Sequence, residues 1–196
     1  MNAVLSSVAT SLDRRIRMLR THGKAMNGRT YNVLFLCTGN SARSILAESL
    51  LNHLGKGQFH GFSAGSHPNG RVNPLALDLL RQLDLPTDGL RSKSWDEFAA
   101  PNPIHFDFVI TVCDNAAGEM CPVWPGQPMT AHWGIPDPAA VEGTDLEKKV
   151  AFRQAFKAME TRIKLLLSLP IARIEKMRLK ERMDEIGKTP PEPTQT

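Results

Sequence analysis

The stretch that most constrains this chain is Val33-Leu34-Phe35-Leu36-Cys37-Thr38-Gly39-Asn40-Ser41-Ala42-Arg43-Ser44, an apolar run that delivers a cysteine into a small polar loop and continues past an arginine as a helix. The apolar run is too short for a stable helix and reads as a buried parallel strand, while Gly39, Asn40 and Ser41 are turn residues that let backbone amides converge. From Arg43 the spacing turns helical, with Ala42, Ile45 or Leu46, Ser49 or Leu50, and His53 or Leu54 on one side. Amides at a helix start and the positive end of its dipole favour anions, and they favour thiolate over thiol. Cys37 is therefore expected to be a nucleophile of lowered pKa. Arg43 supplies a planar cation for a tetrahedral oxyanion, and Asn40 and Ser44 hydrogen-bond the sulfur and the loop. The expected oxyanion-binding set is Thr38, Gly39, Asn40, Ser41, Ala42, Arg43 and Ser44. The plainer reading, in which Cys37 is a small buried hydrophobe ending a strand, leaves Arg43 and the helix start unused.

A chain of 196 residues supports one domain with a full hydrophobic core. Three cysteines are an odd, low count, which argues against a secreted disulfide framework and for reactive thiols in a reducing cytosol. The sequence carries neither a secretory apolar region nor a long apolar span, so a cytoplasmic protein without a membrane segment is expected. The net charge of +4 is unevenly spread. Residues 1–30 hold six basic residues and one acid, residues 31–169 hold twelve against fourteen, and residues 170–196 hold six against five. The central part is thus slightly acidic, its anion affinity has to come from loop geometry, and no nucleic acid is implied. Glycine-rich nucleotide fingerprints are absent.

Taken in order, residues 1–30 read as a basic N-terminal extension, open between a short amphipathic helix, a transit-like segment and disorder. After the first strand and helix, Gly55 and Gly57 end the helix, and a second strand is expected near residues 58–63. Pro74 opens a helix whose Leu75, Leu79, Leu80 and Leu83 face the sheet, and Ser94 with Glu97 has capping-box spacing. Residues 106–113 form a third strand that, like the first, ends in a cysteine. Parallel strands separated by helices bring Cys37 and Cys113 to one sheet edge. Residues 114–128 are a loop holding Cys121, and residues 129–133 a fourth strand leading to Asp137 between two prolines. Thr144 and Glu147 form a second capping box before a long helix with Phe152, Phe156, Met159, Ile163 and Leu166 on one face. Beyond Pro170 a marginal helix is expected to fray into a charged, proline-rich tail. The domain layout is therefore residues 1–30, 31–169 and 170–196, and the fold class is α/β: a single domain with a four-stranded parallel sheet flanked by helices on both faces.

The Cys-x5-Arg-Ser motif at residues 37–44 resembles that of low-molecular-weight protein tyrosine phosphatases and of the thioredoxin-coupled arsenate reductases built on the same fold. Phe62-Ser63-Ala64-Gly65, Val112-Cys113, Cys121-Pro122 and the run from His132 to Pro138 are similar to the reductases, over residues 31–169. The resemblance implies an arsenate reductase serving arsenic detoxification. Cys37 would attack arsenate in a phosphatase-like P-loop, Arg43 and the loop would hold its oxygens, and Asp137 would act as general acid. Cys113 would then resolve the adduct, and Cys121 would carry the redox-active disulfide to thioredoxin or a similar thiol reductant. The seven residues between Cys113 and Cys121 are one more than in the best-studied relatives. No cofactor and no metal ion is expected, although Glu48, Ser63, Ser94 and Asp96 match positions near a monovalent-cation site in some relatives. His132 and Trp133 read as structural. Two alternatives stay open: a phosphatase, against which Ala139 and Ala140 stand where aromatic walls would suit phosphotyrosine, and an oxyanion-binding or redox-sensing module with little turnover.

Overall fold

The computed structural model describes residues 29–98, 103–114 and 124–190. Four strands, β1 (Tyr31–Cys37), β2 (Phe59–Gly65), β3 (Phe108–Thr111) and β4 (Met129–His132), form one parallel sheet in the order β2-β1-β3-β4. Among the described residues four α-helices accompany it: α1 (Arg43–Leu54), α2 (Pro74–Gln82), α3 (Asp145–Ser168) and α4 (Lys176–Gly187). Short 3-10 turns occupy Trp95–Phe98 and Pro138–Ala140. The α/β class and the four-stranded parallel sheet are those expected from the sequence.

β1 is central and covered on both faces, which explains its uninterrupted apolar run. Val33, Phe35 and Cys37 join a cluster with Ile45 and Leu50 of α1, Leu80 of α2 and Phe152, Met159 and Ile163 of α3. Leu34 and Leu36 point the other way, toward Ala64, Phe98, Phe106, Val109 and Trp124. In that second cluster Phe62, Phe98, Phe106 and Trp124 meet edge to face, the arrangement that aromatic quadrupoles favour.

The register sets the site. Cys37 lies opposite Gly65, Leu36 opposite Thr111, and Thr111 opposite His132, so the strands finish along one line. Whatever follows each strand emerges at the carboxyl edge of the sheet, the usual location for binding loops in such folds.

The helix expected beyond Pro170 is present as α4 over residues 176–187, but it is packed and not marginal: its Leu179, Met183 and Ile186 are buried in the main cluster, and the tail from residue 191 lies outside the described residues. Their spacing puts three apolar side chains on one stripe of an otherwise charged helix, and it is the seat on β4 and Trp133, not helix propensity, that orders it. The packed domain thus runs past the expected boundary at residue 169. The readings for residues 1–28 lie outside the described residues; Arg29 pairs with Asp107 and stacks on the ring of Tyr31.

The helix ends follow local chemistry. Asn73 caps α2 ahead of Pro74, and Thr144 with Glu147 closes the expected capping box on α3. At the third candidate start the pairing differs: Ser94 bonds Asp96, and Glu97 reaches Arg91.

Candidate active site

Cys37 ends β1 with its side chain almost fully buried. Its Sγ lies 3.0 Å from Ser44 Oγ and receives the backbone N–H of Asn40 at 3.2 Å. Around it the loop is held from outside. The N–H groups of His67, Asn69 and Asn73 donate to the carbonyls of Thr38, Gly39 and Ser41 at 3.0, 2.9 and 2.9 Å, and Ser92 Oγ donates to Gly39 at 3.2 Å. In a trans peptide the N–H points opposite the C=O, so anchoring these three carbonyls outward turns the amides of Gly39, Asn40 and Ala42 inward. The result is a nest of the kind that binds anions. α1 begins at its rim, and neither a side-chain cap from Ala42 nor an acid in the first turn competes for an anion there.

Two residues make this tight loop feasible. A side chain at Gly65 would collide with the Thr38 carbonyl and press on Asn40, so only glycine admits the loop there. Asn40 takes a positive φ of 42°, which asparagine tolerates, and is wholly buried. Its amide donates to Ser44 Oγ and Ser63 Oγ, each at 2.9 Å, and its carbonyl accepts from Lys93 N–H at 2.8 Å.

Behind the loop lies an ion pair that sequence reasoning missed. Lys93, 7 % exposed, places Nζ 3.3 Å from Glu48 Oε2, 3.3 Å from the Arg91 carbonyl and 3.5 Å from Ser63 Oγ, and Ser63 donates to Glu48. An unbroken chain of contacts runs from the Lys93 ammonium through Glu48, Ser63, Asn40 and Ser44 to the sulfur. Glu48 and Ser63 therefore surround the protein's own cation, whereas Ser94 and Asp96 bond each other at 2.9 Å. Nothing in the run from Arg91 to Glu97 marks Lys93 as buried. The parallel bridge between Gly65 and Ser94 brings it inside.

Arg43 does not point at the sulfur. Nη1 donates to the Ile135 carbonyl at 3.0 Å and Nη2 to Asp137 Oδ2 at 2.8 Å. Asp137 also accepts the Ala139 N–H at 3.0 Å, capping the turn that follows. This corrects the expected thiol pKa. Burial pushes the Cys37 thiol up; the Ser44 hydroxyl opposes it, neighbouring Cys113 reinforces it, and the backbone groups of Ser44 and Asn40 oppose it again. With the guanidinium engaged elsewhere, desolvation outweighs the hydrogen bonds.

Cys113, also buried, lies just beyond β3 with its Sγ 3.7 Å from Thr38 Oγ1. Cys37, Arg43, Cys113, Asp137 and residues 38–44 thus converge at one sheet edge, while Cys121 lies outside the described residues. Trp133 is fully buried, in keeping with a structural role. His132 bridges Thr111 Oγ1 at 2.8 Å and Asp114 Oδ1 at 3.0 Å. Among the described residues no helix is long and apolar enough to cross a membrane.

The chain belongs to the low molecular weight phosphotyrosine protein phosphatase family, whose sequence model matches residues 32–181. More narrowly, it is similar to the arsenate reductase of Halalkalibacterium halodurans, 36% identical over 132 residues that cover 67% of this chain and 91% of the relative. The arsenate reductase of Bacillus licheniformis is 37% identical over 134 residues, with the same coverage of 67% and 91%. The crystal structure of an arsenate reductase from Archaeoglobus fulgidus superposes with a TM-score of 0.56 at 30% identity, over 70% of this chain and 99% of that one.

Proposed function

We propose that this chain is an arsenate reductase that uses Cys37 as nucleophile and Cys113 as resolving thiol. The observation that carries the reading is the second buried thiol: Cys113 lies at the cradle, against Thr38, where phosphate-ester hydrolysis requires none.

Arsenate enters the nest and takes hydrogen bonds from the amides of residues 38–44. Its charge competes with Asp137 for Arg43, whose planar fork suits a tetrahedral oxyanion. That leaves the Asp137 carboxyl at the edge of the cradle, placed to hand a proton to the bound oxyanion. The Cys37 thiolate attacks arsenic, and Asp137 protonates the departing hydroxyl, which leaves as water. The Cys113 thiolate then attacks Cys37 Sγ. A disulfide forms, the arsenic–sulfur bond breaks, and arsenic keeps the electron pair and departs as arsenite. Two thiols are oxidised as As(V) becomes As(III). Cys121 attacks Cys113 in turn, which frees Cys37, and thioredoxin or a similar dithiol reduces the Cys113–Cys121 disulfide in the cytoplasm. Such a cycle serves arsenic detoxification.

Thiol counting tests this. Without reductant, arsenate should consume two thiols of the chain per arsenite formed, and thioredoxin should restore multiple turnovers. Hydrolysis of an aryl phosphate with no thiol loss on adding arsenate would sink the reductase reading in favour of a phosphatase.

A further inference from the structure

The cradle and Asp137 leave one ordered element without a task, the C-terminal helix α4. Charged residues dominate it, and a helix of this length is marginal on its own. Besides its three buried side chains, it is tied to the base of the acid loop. Trp133 Nε1 donates to the Met183 carbonyl at 2.9 Å. Arg162, buried on α3, donates through Nη2 to the carbonyls of Gly187 and Thr189 at 3.1 and 3.3 Å and through Nη1 to the Trp133 carbonyl at 3.4 Å. The Gly187 backbone sits so close to β4 that a side chain there would collide with the His132 carbonyl and lie 3.0 Å from Trp133 Cδ1. Trp133 is therefore gripped at its ring by α4 and at its backbone by an arginine that also closes the end of α4.

Little slack separates Trp133 from Asp137. Gly134 is the only residue between them without a fixing contact or a ring. Ile135 donates its N–H to Val112 at 3.2 Å and offers its carbonyl to Arg43, and Pro136 and Pro138 restrict the backbone on either side of the carboxylate. A shift at Trp133 is passed on rather than absorbed.

We propose that α4 positions the acid loop, with Trp133 and Arg162 as positioning residues that set where the Asp137 carboxylate stands over the cradle. The proposal rests on the reading of Asp137 as the proton donor. Plain core packing predicts something else: variants at these residues lose stability, and their activity falls regardless of what stands at 137.

The test is a double-mutant cycle in the full chain. Trp133→Phe keeps an aromatic ring in the core but removes the indole N–H along with the pyrrole half of the bicycle. Arsenate reduction with thioredoxin is measured for it, for Asp137→Asn and for the pair, with thermal melts confirming that each is folded at the assay temperature. A lost hydrogen bond that displaces a reacting group should lower kcat about tenfold with KM moving less than about twofold. In the Asp137→Asn background the same change should cost less than about twofold, because the group it positions is gone. Equal losses in both backgrounds, or no loss in the first, overturn the proposal. Full turnover by Asp137→Asn alone removes the acid reading and this proposal with it, and that failure shows in a different variant from the one that tests the helix. If Trp133→Phe does not fold, Arg162→Lys carries the same cycle, and failure of both to fold overturns the proposal by making the ties purely structural.

Discussion

The cradle and the acid loop meet at the ion pair between Arg43 and Asp137, yet they are built in opposite ways. Asn40 and Ser44 are fully buried, and each anchored loop carbonyl is tied to a neighbouring segment. Asp137 has a side chain 40 % exposed, and its ties are one N–H from its own turn and a cation that belongs to the other half of the site. The cradle is fixed by many contacts made on folding, whereas the carboxylate is held chiefly by a single ion pair. On the reading proposed above, this division keeps the donors rigid and leaves the acid free to exchange partners.

The largest effect tests whether the acid side depends on distant chain. A protein ending at Leu169 loses the burial of Leu179, Met183 and Ile186, on the order of 5–9 kcal/mol at the usual 1.5–3 per side chain. That rivals the whole stability of a domain, about 5–15 kcal/mol. Circular dichroism should show loss of the cooperative melt, and a melt like that of the full chain would erase the distinction drawn here.

Next comes Asp137→Asn, which removes the acid while sparing the nest. Single-turnover arsenite formation should slow by about 10² to 10⁴, the usual worth of general acid catalysis. Binding of arsenate, followed by calorimetry, should hold or tighten because Arg43 no longer has a competitor. Weaker binding would mean that the ion pair organises the cradle instead of restraining it.

Lys93→Met attacks the cradle from behind. Removing one partner of a buried ion pair typically costs about 3–5 kcal/mol because the other charge stays buried alone. Chemical denaturation should report that loss, and adding Glu48→Gln should recover much of it. An unchanged midpoint for Lys93→Met would show that the pair does not support the loop.

The smallest effect concerns pH. In the absence of an oxyanion, alkylation of Cys37 should have its midpoint above the ordinary thiol value of about 8.5. Since the folded thiol holds its proton more tightly than the unfolded one, its stabilising contribution is complete below that value and is lost as pH rises through the higher folded pKa. A midpoint below the ordinary value would mean that the loop amides, not burial, govern the sulfur.

What the sequence disclosed follows the range of the interactions. The β1–loop–α1 unit, the capped start of α3 and the core place of Trp133 rest on periodicity and turn chemistry within a dozen residues, and such signals survive without a structure. The packing of α4 was hidden because three apolar residues at helical spacing sit among Lys180, Glu181, Arg182, Asp184 and Glu185, and only the partner surface distinguishes such a stripe from a solvated helix. Lys93 looked like any surface lysine until the bridge beside it placed it indoors. The direction of the Cys37 shift depended on how deeply the sulfur is buried, which spacing does not encode.

The order in which these parts are made has a consequence of its own. The groups that anchor the cradle, at residues 67, 69, 73, 92 and 93, all precede residue 98, whereas Arg162, Met183 and Gly187 belong to the last fifth of the chain. At about 5–20 residues per second, synthesis from Lys93 to Gly187 takes on the order of 5–20 s. During that interval the nascent protein already has the residues that tie the loop of residues 38–44, while Trp133 still waits for the groups that hold it. A message cut short before Arg162 would therefore yield a chain that carries the cysteine and its loop but lacks both contacts at the base of the Asp137 loop.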